Sequence, residues 1–209
     1  MSAAVAYQPT ETAAALFRDH IGAVFELKTP PGASHKLKFG LPFEMQTQPK
    51  DLCEANMEIV RQFGVAFPAC RVFHLSLNNS LASTLRALPT LKAATPFAEL
   101  TARDAIKEVA VGSTLQLLAA VEFLRITLQG EMREAGGEQL RNLVVFEGLN
   151  PLLSLASKEA RDHVVAAVVR LCELHVVLGA WVSASKSDGT LSKAFSEKLV
   201  YLSPLDAYV

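Results

Sequence analysis

The sequence predicts an α+β protein in which a strand-bearing front half is followed by a helical back half. Two patterns carry this expectation. Apolar residues alternate with polar ones in segments near residues 23–28, 35–41 and 71–77, and from about Val121 onward they recur at helical spacing of three and four. Proline, glycine and asparagine fall between the alternating segments, where turns belong. Half of the 209 residues are hydrophobic, enough for a real core and too many for a disordered chain. The change of period near residue 120 divides the chain into a lead-in at 1–21, a strand-bearing domain at 22–120 and a helical domain at 121–209.

The elements follow in order. Thr12 to His20 reads as a short lead-in helix, with Leu16, Phe17 and Ile21 on its apolar side. Phe25 and Leu27 alternate with Glu26 and Lys28 until Thr29-Pro30-Pro31-Gly32 breaks the run. Leu37, Phe39 and Leu41 then share one face while Lys36 and Lys38 take the other. Two alternating strands around a Pro/Gly turn are a hairpin. Leu52, Ala55, Ile59, Val60 and Phe63 recur at three and four after Pro49-Lys50-Asp51, and Gly64 is expected to end that helix. Arg71 to Leu77 alternates again, with Phe73, Leu75 and Leu77 inward and Asn78-Asn79 closing the strand. Residues 80 to 105 read as an excursion with a short apolar helix pattern around Leu81, Leu85 and Leu88. Gly112 to Leu118 reads as a strand opened by glycine, before a helical pattern from Ala119 to Leu128. Helix is expected from there on, with breaks at Gly130, Gly136-Gly137, Gly148 and residues 183–189.

Charge and cysteine usage exclude several classes. Twenty basic residues against twenty-one acidic ones give a formal charge of -1, which removes the basis for a general nucleic-acid coat or a polybasic membrane binder. No run of 18 apolar residues occurs, and the most apolar stretch, Val164 to Val182, is interrupted by Arg170, Glu173 and His175, so no membrane insertion is expected. No charged-then-apolar leader opens the sequence, and a cytoplasmic location is the default expectation. Cys53, Cys70 and Cys172 make neither a CxxC nor a disulfide framework.

Hairpin, helix, third strand, excursion and a closing Gly112-Ser113-Thr114-Leu115-Gln116-Leu117 resemble the element order of a ubiquitin-like β-grasp domain over residues 22 to 120. Val145 to Leu155, in which Glu147 and Gly148 precede an apolar helix pattern, is similar to the second helix of an armadillo repeat. The longer helix carrying Val164, Ala167, Val168, Leu171, Leu174 and Val177 is similar to the third. Such units bury their apolar faces only by stacking on neighbours. The combination resembles the N-terminal region of the engulfment-and-cell-motility family and, more loosely, the GTPase-binding region of some formins. That resemblance implies a small-GTPase-binding module joined to a helical scaffold that docks other proteins.

Lys28, Lys36 and Lys38 fall on the outward side of the hairpin, with Arg61 on the helix that follows. Such a basic cluster suits the acidic effector region of a GTPase, and the strand edge could add backbone hydrogen bonds. Against this stands a solvated face whose lysines guard an open edge. Trp181, at the end of the expected long helix, is either an inter-helix plug or an interface anchor. His20, His35, His74, His163 and His175 occur in no zinc-ligand spacing. His163 with Glu159, or His175 with Glu173, would be the only base-and-orienter pairs on offer. Asp104 and Glu108 would share one helical face, balanced by Arg103 and Lys107. No P-loop, GxGxxG or GxSxG occurs. The expectation is a non-enzymatic adaptor without cofactor or metal, binding a small GTPase or another adaptor subunit. The alternative is a structural subunit that assembles through its apolar helical half.

Overall fold

The computed structural model describes residues 24–29, 32–48, 52–77, 100, 104–134, 140–184 and 201–202. Its elements are β1 (Val24–Thr29), β2 (Ala33–Lys38), β3 (Pro42–Gln46), α1 (Leu52–Ala66), β4 (Arg71–Ser76), β5 (Ile106–Ala110), α2 (Thr114–Glu134), β6 (Asn142–Glu147), α3 (Asn150–Leu155), α4 (Lys158–Cys172), β7 (Val177–Ser183) and β8 (Tyr201–Leu202). The chain is mixed helix and strand, as the alternating and helical periods imply. Its centre is a six-stranded sheet in the order β5-β4-β6-β7-β3-β8 with every pairing parallel.

The expected hairpin is present. β1 and β2 pair antiparallel as a separate ribbon, with Phe25 opposite Leu37 and Leu27 opposite His35. Gly32 closes the turn by donating to the Thr29 carbonyl at 2.7 Å. It does so at a φ of +118°, which costs glycine little and other residues much. The ribbon's inner residues Phe25, Leu27 and Leu37 join α1 and one face of the sheet in a first core. There Phe25, Phe39, Phe63 and Phe67 pack ring against ring, from Phe63 and Phe67 at 4.9 Å between centroids to Phe25 and Phe67 at 6.3 Å. α2 and α4 cover the opposite face in a second core built on Leu117, Val121, Leu124, Val164, Val168 and Trp181. Parallel strands need crossovers, and these lie on both faces, so the central strands are sealed on two sides.

That sealing overturns several expectations. Residues 145–147, taken as the start of an armadillo-like helical segment, belong to β6, and residues 177–182, taken as the end of a long helix, belong to β7. Both strands are buried at every position. A strand buried on both faces has no polar alternation, so Asn-Leu-Val-Val-Phe-Glu reads equally well as buried helix. The sheet takes β3, β4 and β5 from before residue 120 and β6 and β7 from after it, so the boundary expected there runs through one sheet. Residues 112–118 are not a closing strand. α2 starts at Thr114, where Ser113 Oγ accepts from the Gln116 amide at 3.2 Å and Gln116 Oε1 accepts from the Gly112 amide at 2.8 Å. This is a reciprocal helix start of the Ser-x-x-Gln kind. β5 replaces the helix proposed for Asp104 and Glu108, and Asp104 takes a positive φ of 51° just before it. α1 continues through Gly64 to Ala66. The lead-in helix at 12–20, most of the excursion at 80–105 and the break at 185–189 lie outside the described residues.

Candidate functional site

In an open parallel sheet, ligands sit beyond the carboxyl ends of the strands where neighbouring connections part. Here that point lies between β4 and β6, because the chain leaves β4 for the edge strand β5 and leaves β6 for β7 on the other side. The residues nearest to it are polar and buried. His74 and Ser76 on β4, Glu147 on β6 and Asn56 on α1 are 0%, 2%, 6% and 0% exposed. Glu147 Oε2 accepts from Asn56 Nδ2 at 2.6 Å and lies 2.8 Å from His74 Nε2, while Glu108 Oε1 on β5 approaches His74 Nδ1 to 3.6 Å. Burial alone lowers the His74 pKa. Hydrogen bonding and charge from Glu108 and Glu147 raise it by more, and the net direction is upward from 6.5.

The His74 imidazole thus sits between two carboxyl groups, and with Asn56 the contacts tie α1 to three adjacent strands. Acid–base catalysis needs a proton donor within reach of substrate, and the His74 side chain is fully enclosed. The loop from β3 to α1 reads Thr47-Gln48-Pro49-Lys50-Asp51, with no glycine to bring backbone amides onto a phosphate and a proline that lacks an N–H. Gly148, which follows β6 at a φ of +62°, donates its amide to the Val182 carbonyl at 2.9 Å. The arrangement links β4, β5, β6 and α1 through buried polar side chains. In the sequence His74 falls in the alternating segment Arg71 to Leu77 as one of five scattered histidines, and Glu147 only precedes an expected helix. The available signal was Glu147, a charged residue that ends the apolar run of β6.

The hairpin does bring the predicted lysines together. Lys28, Lys36 and Lys38 are all exposed, and the register puts Glu26 opposite Lys36 and Lys28 opposite Ser34. Glu26 is the acidic member of this face and accepts from Ser34 Oγ. Arg61 does not join the lysines as a free cation: Glu58, three residues earlier on α1, holds its guanidinium through Nε at 2.8 Å and Nη2 at 2.6 Å. That contact lowers the Glu58 pKa and raises that of Arg61.

Trp181 is 2% exposed inside the second core, stacked on Phe146 at 5.2 Å and donating Nε1–H to Asn150 Oδ1 at 2.8 Å. It is a core residue of β7, so the anchor role expected at a helix end has no surface to act on. His163 and Glu159 are exposed on α4, and just after it Glu173 is exposed and His175 partly buried. The exposed apolar residues lie elsewhere. On α2, Leu115, Phe123 and Ile126 are 76%, 69% and 61% exposed. With exposed Ala119 they span an arc of about 80° at 100° per residue, a single helix face. Leu155, the last residue of α3, is exposed as well, and Thr114 Oγ1 donates to the Leu152 carbonyl at 3.3 Å to join the two helices. Periodicity could have shown this face, because apolar positions on α2 outnumber what one buried stripe needs.

Among the described residues, no helix is long and apolar enough to cross a membrane, and no cluster of three histidine, cysteine or acidic side chains has metal-binding geometry. No protein-family model and no curated protein matches the sequence.

Proposed function

We propose that the protein is a non-enzymatic interaction subunit that binds another protein chain through the outer face of α2. The exposure of Leu115, Phe123 and Ile126 on that one face carries the proposal, since contiguous exposed apolar residues on a soluble domain mark interaction sites. The sealed His74 network and the glycine-free turn after β3 support a non-enzymatic role. A small GTPase is the partner class suited to the hairpin lysines. The likeness to the engulfment-and-cell-motility family rested on element order, and beyond the hairpin, α1 and β4 that order gives way to the parallel sheet. Charge alone now supports the GTPase.

The direct test is the double substitution Phe123→Glu with Ile126→Glu. Both side chains face outward, so stability should change by only about 0.5 kcal/mol per site. Sedimentation velocity over a concentration series, and capture on immobilised GTPases loaded with GDP or a GTP analogue, would read association. An adaptor is a monomer alone and gains a partner in the GTP state; the α2 double variant loses that partner where it sits on α2, and Lys36→Glu with Lys38→Glu loses it where the hairpin lysines hold it. A permanent structural subunit, favoured by the same exposed face, would instead self-associate as wild type and become monomeric as the variant. Wild type that is monomeric, captures no GTPase and sediments identically to the variant would sink both.

A further inference from the structure

Among the described residues the hairpin has one edge closed and one edge open, and the hydrogen-bond register identifies which residues line each. The Lys28 amide donates to Gln62 Oε1 at 2.8 Å, and Gln62 Nε2 donates back to the Lys28 carbonyl at 2.7 Å. A side chain of α1 thereby takes the place of a neighbouring strand along β1. The backbone groups of Lys28 point away from β2, and in an antiparallel ladder the opposite residue then also points its own groups outward. That residue is Ser34. Alternate residues share the orientation, so the amide and carbonyl groups of Ser34, Lys36 and Lys38 all face the outer edge of β2. Among the described residues, β2 pairs with no strand other than β1.

The same three residues carry their side chains on the exposed face, beside Lys28. Three lysines against Glu26 leave that face positive in a chain whose formal charge is -1. On the inner face, half-buried His35 and buried Leu37 line the edge above the first core. A strand laid along β2 would therefore meet lysines on one side and an apolar margin on the other. We propose that the outer edge of β2 is a docking strand for an extended segment of a partner protein in which acidic and apolar residues alternate. The segment adds to the hairpin as a third strand. Backbone hydrogen bonds to Ser34, Lys36 and Lys38 hold it, and its acidic residues lie beside Lys36 and Lys38, which sets register and makes binding sensitive to salt. This surface is separate from the α2 face, so either can fail without the other.

Lysines that merely protect an open edge would bind nothing, and the experiment separates the two roles. The probe is a fluorescent peptide of alternating glutamate and valine, about seven residues long to match the length of β2, titrated with the full chain in low and high salt. Binding should weaken roughly tenfold on Lys36→Glu with Lys38→Glu. Lys36→Pro is the decisive variant. Its amide faces outward, so proline removes a docking donor without touching the β1–β2 ladder, and binding should fall by a similar factor. Slow amide exchange at Phe25 and Leu27 reports that the hairpin is intact, and Lys38→Pro repeats the test where the first proline disturbs it. Peptide that does not bind wild type, or binds both proline variants unchanged, overturns the proposal. So does tighter binding of a single-stranded oligonucleotide than of the peptide, which would make the lysines a phosphate-binding face.

Discussion

Replacing His74 with leucine should destabilise the protein strongly and remove a pH dependence expected of the wild type near neutrality. The imidazole lies 2.8 Å from Glu147 Oε2 with 3.6 Å to Glu108 on its other side, and none of its surface is exposed. Leucine fills similar space but takes the imidazole away from Glu147, which is 6% exposed and keeps the Asn56 amide at 2.6 Å. Breaking a buried ion pair by removing one partner costs about 3–5 kcal/mol. For a chain of this length that is a fall in melting temperature of roughly 6–20 °C. The sign of the pH effect follows from the direction of the shift. The folded pKa of His74 lies above 6.5, so its contribution is fully present below that value and is lost as pH rises through the folded pKa. Urea midpoints of the wild type should therefore decline from about pH 6 toward about pH 9, where ordinary carboxylates do not titrate. His74→Leu should flatten that decline, and adding Glu147→Met should recover much of the stability by removing the buried carboxyl group that the imidazole had faced. An unchanged slope in His74→Leu would refute the assignment and move the pH dependence to another group.

Three further outcomes follow from buried groups. Burial raises the Glu44 pKa, and the Gln46 and Ser183 side chains beside it only partly offset that. Glu44→Gln should therefore raise the urea midpoint at neutral pH, with the gain shrinking as pH falls toward 4.5, where the unfolded carboxyl also takes up its proton. A β-carbon at Gly179 would run into Cys172 Sγ and press on Pro42 Cβ at 3.4 Å. Gly179→Ala should cost about 1–3 kcal/mol by denaturant titration, and Cys172→Ala in the same chain should relieve most of it. Burial, helped by the Glu173 charge, pushes the Cys172 thiol up to about 12. Alkylation at that residue should proceed no faster than unfolding, which quenched labelling and mass spectrometry can follow.

What the sequence made legible were the elements with one wet face. The β1–β2 hairpin alternates because its outer side carries Glu26, Lys28, Lys36 and Lys38, and α1 was visible in the spacing of Leu52, Ala55, Ile59, Val60 and Phe63. The central strands escaped for the opposite reason. β7 reads Val-Leu-Gly-Ala-Trp-Val-Ser and is buried throughout, so neither period 2 nor period 3.6 is printed on it. β3 hides behind Pro42 and Glu44. Proline is tolerated at the first position of a strand, and Glu44 is 1% exposed despite its charge. The polar network was illegible because its members come from four elements, and each alone resembles a surface residue. The lysine cluster was legible because adjacent strands of one hairpin need no long-range topology to bring their side chains together.

The sheet also explains why the two proposed surfaces are independent. The hairpin packs with α1 on one face, in the core that holds Phe25, Leu37 and Phe63, whereas α2 packs on the other with Leu117, Val121 and Leu124. No residue is shared between those two cores, and changes without shared partners add to within about 0.3–0.5 kcal/mol. A partner on α2 and an acidic strand on β2 would therefore approach from opposite sides without competing. Combining Phe123→Glu with Lys36→Glu should reproduce the sum of the two single effects in free energy. Strong non-additivity would mean that both substitutions act on one interface, and the two-surface arrangement would have to be abandoned.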